Sequence, residues 1–420
     1  MLRVATLSNS HIDINNSNLE EFKSLLMTAG YQPSLDFSQR IEHIDKAIYC
    51  GIGKLIEISN TIKSINESLK DESIDYLAVD FELTGTQKKN IETIVSIPVI
   101  DRTNVILEIF ERNAKTKEAK LQVEIAKLKY SKAQLVDDKA SYSQVTSGSG
   151  HNKGEGEKAI ELSRRSIDRI IYIKSQELEK AKTQRRAMRA SRQKNKIPSV
   201  AIVGYTNAGK STLVNHLLAY SSHKDKLVLS ENKLFATLET STREIDAFDF
   251  PKFLVTDTVG FVSRLPLYLI DAFKATLEEI TEADLIVHVV DYSSTTHEEQ
   301  IKTTNKILED IGVNNIPTIY LYNKYDLLTT PPSILPNDSF IWTSLKDKED
   351  DKIILEFIAH SLAKNWEKVE TDIPLDTIYY QFKKDNYVIK ENIKGDIVNV
   401  IAYINPTTKY KYSYLFKDNL

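Results

Sequence analysis

Cysteine is almost absent: the 420 residues hold one, Cys50. That excludes an internal disulfide framework and suits a reducing compartment. Long apolar runs are missing as well. No stretch approaches the roughly 20 residues that span a bilayer, and the opening MLRVATLSNSHIDINN has no apolar signal-peptide core. The expectation is a cytoplasmic protein with no membrane span. An excess of either charge is also lacking, since 55 Lys and Arg face 59 Asp and Glu for a formal net charge of −4. Nucleic-acid affinity, if present, must therefore come from local clusters rather than global charge. The length exceeds one ordinary core and suggests about three domains.

The first 110 residues alternate short apolar runs with helix-period segments. LRVATL, AIYC, YLAVDF and IPVID read as strands. Leu19, Phe22, Leu25 and Leu26 give one helix face, Leu55, Ile58, Ile62, Ile65 and Leu69 another, and QKKNIETIV a third helix. Such alternation predicts a small parallel α/β sheet. The turn YCGIGK could cradle a phosphate, but a lone Gly-x-Gly more often makes a strand-to-helix turn.

Residues 104–135 and 157–196 read as long helices. Ile160, Ile167, Ile171, Leu178 and Ala181 keep coiled-coil spacing and suit a hairpin with Leu121, Ile125 and Leu128. The glycine-rich SYSQVTSGSGHNKGEG lies between them. From Lys158 to Lys196 the second helix carries thirteen Lys or Arg, among them Arg164, Arg165, Arg169, Arg185, Arg186, Arg189 and Arg192, against four carboxylates. An ordinary charge run is a solvated face. Nine uncompensated charges repel along a helix and favour contact with a polyanion, which makes those arginines candidate RNA ligands.

VAIVGYTNAGKSTLVNHLL has the strand, glycine-bounded loop and helix of a P-loop. Gly204 and Gly209 let the backbone of Tyr205, Thr206, Asn207 and Ala208 approach phosphates, Lys210 reaches the β and γ oxygens, and Ser211, followed by Thr212, offers a hydroxyl to Mg2+. KFLVTDTVG ends an apolar strand on Asp257, a further Mg2+ candidate, then Thr258, Val259 and Gly260, whose N–H can meet the γ-phosphate. IPTIYLYNKYD ends the next on Asn323, Lys324 and Asp326. A carboxylate at Asp326 accepts from guanine N1–H and its 2-amino group and mismatches adenine, so GTP and GDP are the expected ligands. Thr343, Ser344 and Leu345 in WTSLK stand where backbone contacts to the base are made. For the magnesium-binding threonine of the first switch, Thr237, Thr240, Ser241 and Thr242 compete.

The chain resembles the HflX family of ribosome-associated GTPases, a P-loop, translation-factor-related class. The resemblance is carried by YCGIGK, IPVIDRTNVILEIFERNAKTKEAKLQVEIAKLKY, RRSIDRI, GYTNAGKSTL, LFATLETSTR, DTVGFVSRLPLYLIDAFKATLEE and NKYD. It implies a magnesium-dependent conversion of GTP to GDP and phosphate, with Lys210, Thr237 and Gly260 as catalytic groups. Thr237 becomes the switch threonine, flanked by Phe235, Ala236, Leu238 and Glu239 at the nucleotide. It also implies a factor that binds the large ribosomal subunit and its RNA and splits or remodels stalled ribosomes, expected here as a monomer. The order of parts would be an α/β domain (1–110), a helical coiled-coil hairpin (111–196), a Ras-like G domain (197–365) and a small C-terminal α/β domain (366–420).

Phe261 follows Gly260, where Ras-like proteins carry a water-orienting glutamine. A phenyl ring can neither accept a proton nor orient a water, but the resemblance makes glutamine-less hydrolysis a family trait. Asn207 holds a P-loop position where some glutamine-less GTPases hold K+. Two stretches depart from the family pattern: SGSGHNKGEGEKAIE keeps Gly154, Gly156 and Glu157 but lacks the usual proline, and ETSTR replaces Asp-Pro-Thr-Thr-Arg. The rival readings are an RNA-remodelling NTPase that also uses ATP and a regulatory GTPase switch for a protein partner.

Overall fold

The structure, a computed structural model, describes all residues except 11–16, 69–71, 146–152, 194–196, 221–240, 247–250, 265–268, 270–279, 314, 331–333, 347–349, 365, 407 and 417–420. The chain divides into two compact units. The first comprises Met1–Thr183 with Lys233–Phe235 and Arg264–Phe273; the second comprises Gln184–Asn232, Ala236–Ser263 and Lys274–Leu420.

In the first unit, β1 (Leu2–Asn9), β2 (Tyr31–Gln39), β3 (Tyr76–Val79) and β4 (Val99–Asp101) form a parallel sheet of order β2-β1-β3-β4. Val4, Ala5 and Leu7 are fully buried, as a parallel strand covered on both faces requires. Leu7, Leu77 and Val79 pack with Leu55, Ile58 and Ile62 of α2 (Ile52–Ser68) and with Ile91 and Val95 of α3 (Gly85–Val95). The helix α1 (Ser17–Thr28) presents the expected Phe22, Leu25 and Leu26, all fully buried.

One expected strand is corrected. AIYC forms a turn closed by the Asp45–Tyr49 bridge, with Tyr49 at φ 65° and its ring stacked on Phe81 at 3.7 Å. The second strand is instead YQPSLDFSQ. Pro33 is tolerated there because β2 is an edge strand, and the register shifts beside it between Val4 and Ala5. Gly51 precedes α2 and Gly53 lies in its first turn, so YCGIGK is a turn into a helix.

The helix expected from 104 is two helices, α4 (Arg102–Asn113) and α5 (Lys117–Val145), because Ala114 leaves the helical region at φ −72°, ψ 106°. Asp101 joins them. Its carboxylate accepts from Asn104 N at 2.8 Å, Tyr130 Oη of α5 at 2.9 Å and Leu83 N at 3.2 Å. Beside it, buried Arg102 donates to Asp80 Oδ1 at 2.6 Å and pairs with Glu21, while Arg264 Nη1 donates to the Asp80 carbonyl at 3.2 Å. Burial raises the pKa of the Asp80 carboxyl and the two guanidiniums pull it back.

The helix α6 (Lys153–Gln193) runs antiparallel to α5, tied by Lys132–Asp168 and Lys174–Glu124, each 2.5 Å. Of the expected seam, Ile167, Ile171, Leu178 and Ala181 are half-buried and the side chain of Ile160 lies outside the described residues, whereas Leu162, Tyr172 and Ile173 are exposed.

In the second unit a six-stranded sheet has the order β10-β9-β8-β5-β7-β6, built from β5 (Ser199–Gly204), β6 (Ser241–Ile245), β7 (Phe253–Asp257), β8 (Leu285–Asp291), β9 (Thr318–Asn323) and β10 (Phe340–Thr343). All pairings are parallel except β6 with β7. Val200, Ile202, Val255, Val287 and Leu321 meet Leu213, Leu217, Ile354 and Ile358 from α7 (Lys210–Tyr220) and α9 (Asp351–Ala363), with α8 (His297–Asp310) preceding β9. The C-terminal segment is an antiparallel sheet β11-β13-β12, from β11 (Glu367–Pro374), β12 (Tyr387–Lys394) and β13 (Ile397–Ile404). Tyr379 and Phe382 of α10 (Thr377–Asp385) and Tyr412 of α11 (Lys409–Tyr412) fill its core. That is the α/β appendage expected. Among the described residues no helix is long and apolar enough to cross a membrane.

Candidate nucleotide site

The parallel strands β5, β7, β8 and β9 end on Gly204, Asp257, Asp291 and Asn323. Ligands of open α/β sheets bind outside these carboxyl ends, and the sequence places its motifs there. After β5 the chain turns through residues 205–209 and enters α7 at Lys210, so the amides of a helix N-terminus face the site. Gly209 has φ +108°, and a Cβ there would stand 2.4 Å from Asn323 Nδ2. Only glycine fits both constraints. Asn207 is exposed at φ 61°, a left-handed conformation that asparagine tolerates.

Lys210 is buried, and its Nζ donates to the Tyr205 carbonyl at 2.6 Å. Burial brings its ammonium down to about 8, with the Asp257 carboxylate acting in the opposite direction. Behind Lys210 lies His288, fully buried, whose pKa is pushed down to about 3 by burial and by the Lys210 cation. Its imidazole is neutral and adds no charge to the cradle.

Ser211 Oγ donates to Asp257 Oδ2 at 2.9 Å. A hydroxyl at a helix N-terminus and a carboxylate at a strand end are two hard oxygen donors held together. This donor set suits Mg2+, which keeps waters and substrate phosphates in its remaining positions. The residues thus fit the ion that the chemistry implies. When bound, it would neutralise charge on the β and γ phosphate oxygens. Thr237, with Phe235, Ala236, Leu238 and Glu239, lies outside the described residues.

Gly260 sits directly on the P-loop: a Cβ would be 2.8 Å from Thr206 Cγ2 and 2.9 Å from Lys210 Nζ. Thr258 Oγ1 donates to the Ile202 carbonyl at 2.6 Å, and Val259 is buried. Phe261 is 2 % exposed. Its ring belongs to the interior, so nothing of it is offered to a water.

The segment expected to read the base is tied to the P-loop through Asn323, whose Nδ2 donates to Ala208 O at 2.8 Å while its Oδ1 accepts from Leu345 N at 3.1 Å. Asp326 Oδ1 accepts from Ser344 Oγ at 2.9 Å. Thr343 is buried at the end of β10. Thus Asn323, Asp326, Ser344 and Leu345 converge in the fold. Two supporting carboxylates escape motif reading. Asp291 holds Lys324 Nζ at 2.7 Å, and Asp350 accepts from Ser344 N at 2.7 Å. The first had a signal, since LIVHVVD is an apolar strand ending on an acid; the second had none.

The candidate RNA ligands Arg164, Arg165 and Arg169 are exposed on α6, with Arg165 paired to Glu161 at 2.9 Å. Arg185, Arg186, Arg189 and Arg192 lie on the same helix, their side chains outside the described residues.

Three sequence families match in tandem: "GTP-binding GTPase N-terminal" over residues 16–111, "GTP-binding GTPase Middle Region" over 113–192 and "50S ribosome-binding GTPase" over 199–324. The GTPase HflX of Caldanaerobacter subterraneus subsp. tengcongensis is 39% identical over 392 residues, 93% of this chain and 88% of its own. That of Escherichia coli K12 is 38% identical over 319 residues, 75% of this chain and 71% of its own. A solved GTP-binding protein of Sulfolobus solfataricus in complex with GDP aligns with 87% of this chain and 99% of its own at 23% identity and a TM-score of 0.46. On the extent and identity of the relatives from Caldanaerobacter and Escherichia, the chain belongs to the HflX family of GTPases.

Proposed function

We propose that this GTPase acts in the cytoplasm as a monomeric factor on the large ribosomal subunit, where GTP binding and hydrolysis drive splitting or remodelling of stalled ribosomes. The observation that carries the reading is α6, a 41-residue helix with twelve Lys or Arg against six Asp or Glu, on which Arg164, Arg165 and Arg169 stand exposed. A basic surface of this kind favours a polyanion such as RNA over a neutral partner. Asp326 at the base-reading end favours guanine and so disfavours ATP as the main substrate. Sedimentation through sucrose with purified subunits tests the proposal. Co-pelleting with the large subunit is expected with a non-hydrolysable GTP analogue and to be weaker with GDP. Equal recovery with the small subunit, or none with either, would overturn it.

Magnesium at Ser211 and Asp257 is part of the same proposal, and K+ beside Asn207 is its extension. A monovalent cation there would add positive charge where the transition state gathers negative charge. Exchanging K+ for Na+ at constant ionic strength is expected to slow turnover about tenfold, and Asn207→Ala to remove that difference. An identical rate in both salts would leave Asn207 as the left-handed turn residue that its φ already explains.

A further inference from the structure

The loop that senses the γ-phosphate is fastened to the P-loop, within the second unit, by hydrogen bonds beyond its own strand. Phe261 N donates to Gly204 O at 3.2 Å, Thr206 N donates to Phe261 O at 2.8 Å, and Ser263 N donates to the phenol oxygen of Tyr205 at 2.5 Å. The first two join backbone to backbone and would form with many side chains at those positions. The third needs a hydroxyl at the end of a long side chain, and Tyr205 supplies it while only 7 % exposed. The same residue's carbonyl holds Lys210 Nζ at 2.6 Å. One P-loop residue therefore grips the phosphate lysine with its main chain and the sensing loop with its side chain.

We infer that Tyr205 is a positioning residue for GTP hydrolysis: its hydroxyl fixes the backbone of Ser263 and thereby the placement of the Gly260 amide that meets the γ-phosphate. The inference rests on the family's GTPase activity and is independent of any ribosomal partner. Phosphoryl transfer is governed by positioning and charge stabilisation. With Phe261 buried and no glutamine beside Gly260, the fastening of the loop carries more of the task. Gly260 leaves little slack, being close enough to the P-loop that one added carbon would meet Thr206 and Lys210. Loss of the Tyr205 hydroxyl removes this one bond to the Ser263 amide while leaving both backbone bonds and the grip on Lys210 in place.

Tyr205→Phe removes that single oxygen. The expected result is a fall of about 10- to 100-fold in single-turnover GTP hydrolysis, the scale of a sub-ångström to one-ångström misplacement. Affinity for GDP and KM for GTP should stay within about twofold, with the thermal midpoint unchanged, and exchange of the Ser263 amide hydrogen should accelerate. An unchanged hydrolysis rate would overturn the inference. So would a rate loss matched by equal loss of GDP affinity or by a lowered thermal midpoint, because the phenol would then be only a structural contact.

Discussion

Asp326→Asn should convert a guanine nucleotide site into one for xanthine. In the native protein the Asp326 carboxylate accepts from Ser344 Oγ at 2.9 Å, and Ser344 is itself held by Asp350 through its amide. The carboxylate is thus fixed in place before any base arrives. Guanine offers two donors, N1–H and the 2-amino group. An asparagine accepts one and turns its own N–H2 towards the other, so a donor faces a donor. Sites built to pair a polar group reject the mismatched analogue by factors on the order of 10⁴, and that is the expected loss of GDP affinity in calorimetric titration. Xanthosine diphosphate, with a carbonyl in place of the amino group, should regain most of it. The substitution keeps an acceptor for Ser344 and leaves the Asn323 bridge between Ala208 and Leu345 untouched. A folded variant is therefore expected. Equal affinity of the native protein for ADP and GDP would contradict the assignment of Asp326.

Why the nucleotide site was legible follows from the same geometry. Each motif ends an apolar parallel strand, and the strand ends converge whatever the intervening loops do. Gly204, Asp257 and Asn323 could thus be placed from chain order alone. Tyr205 and Ser263, or Ser344 and Asp350, meet only through the fold, and no spacing announces them. In the first unit the sheet was predicted correctly in kind, but AIYC was mistaken for β2. The true strand carries Pro33 and alternates polar residues, as an edge strand does, whereas AIYC is apolar because Tyr49 and Cys50 are buried in a turn. The break between α4 and α5 has neither glycine nor proline. It is made by packing, with Asp101 binding both the N-terminus of α4 and Tyr130 of α5. A periodicity reading runs through such a break.

We propose that this GTPase, which lacks the glutamine, is completed by the large ribosomal subunit. Phe261 is buried, and the candidate cationic ligands lie along α6. An external group that completes phosphoryl transfer is worth roughly 10³ to 10⁵ in rate, and docking through Lys and Arg is strongest at low salt. The direct measurement is the turnover number for GTP, with and without purified large subunits, at two salt concentrations. The account predicts slow hydrolysis by the protein alone and a rise of about 10³-fold on the subunits, shrinking as salt increases. Reversing charge at Arg185, Arg186 and Arg189 should diminish the rise and leave the unstimulated rate intact. Fast hydrolysis by the isolated protein, unaltered by large subunits even at low salt, would contradict it.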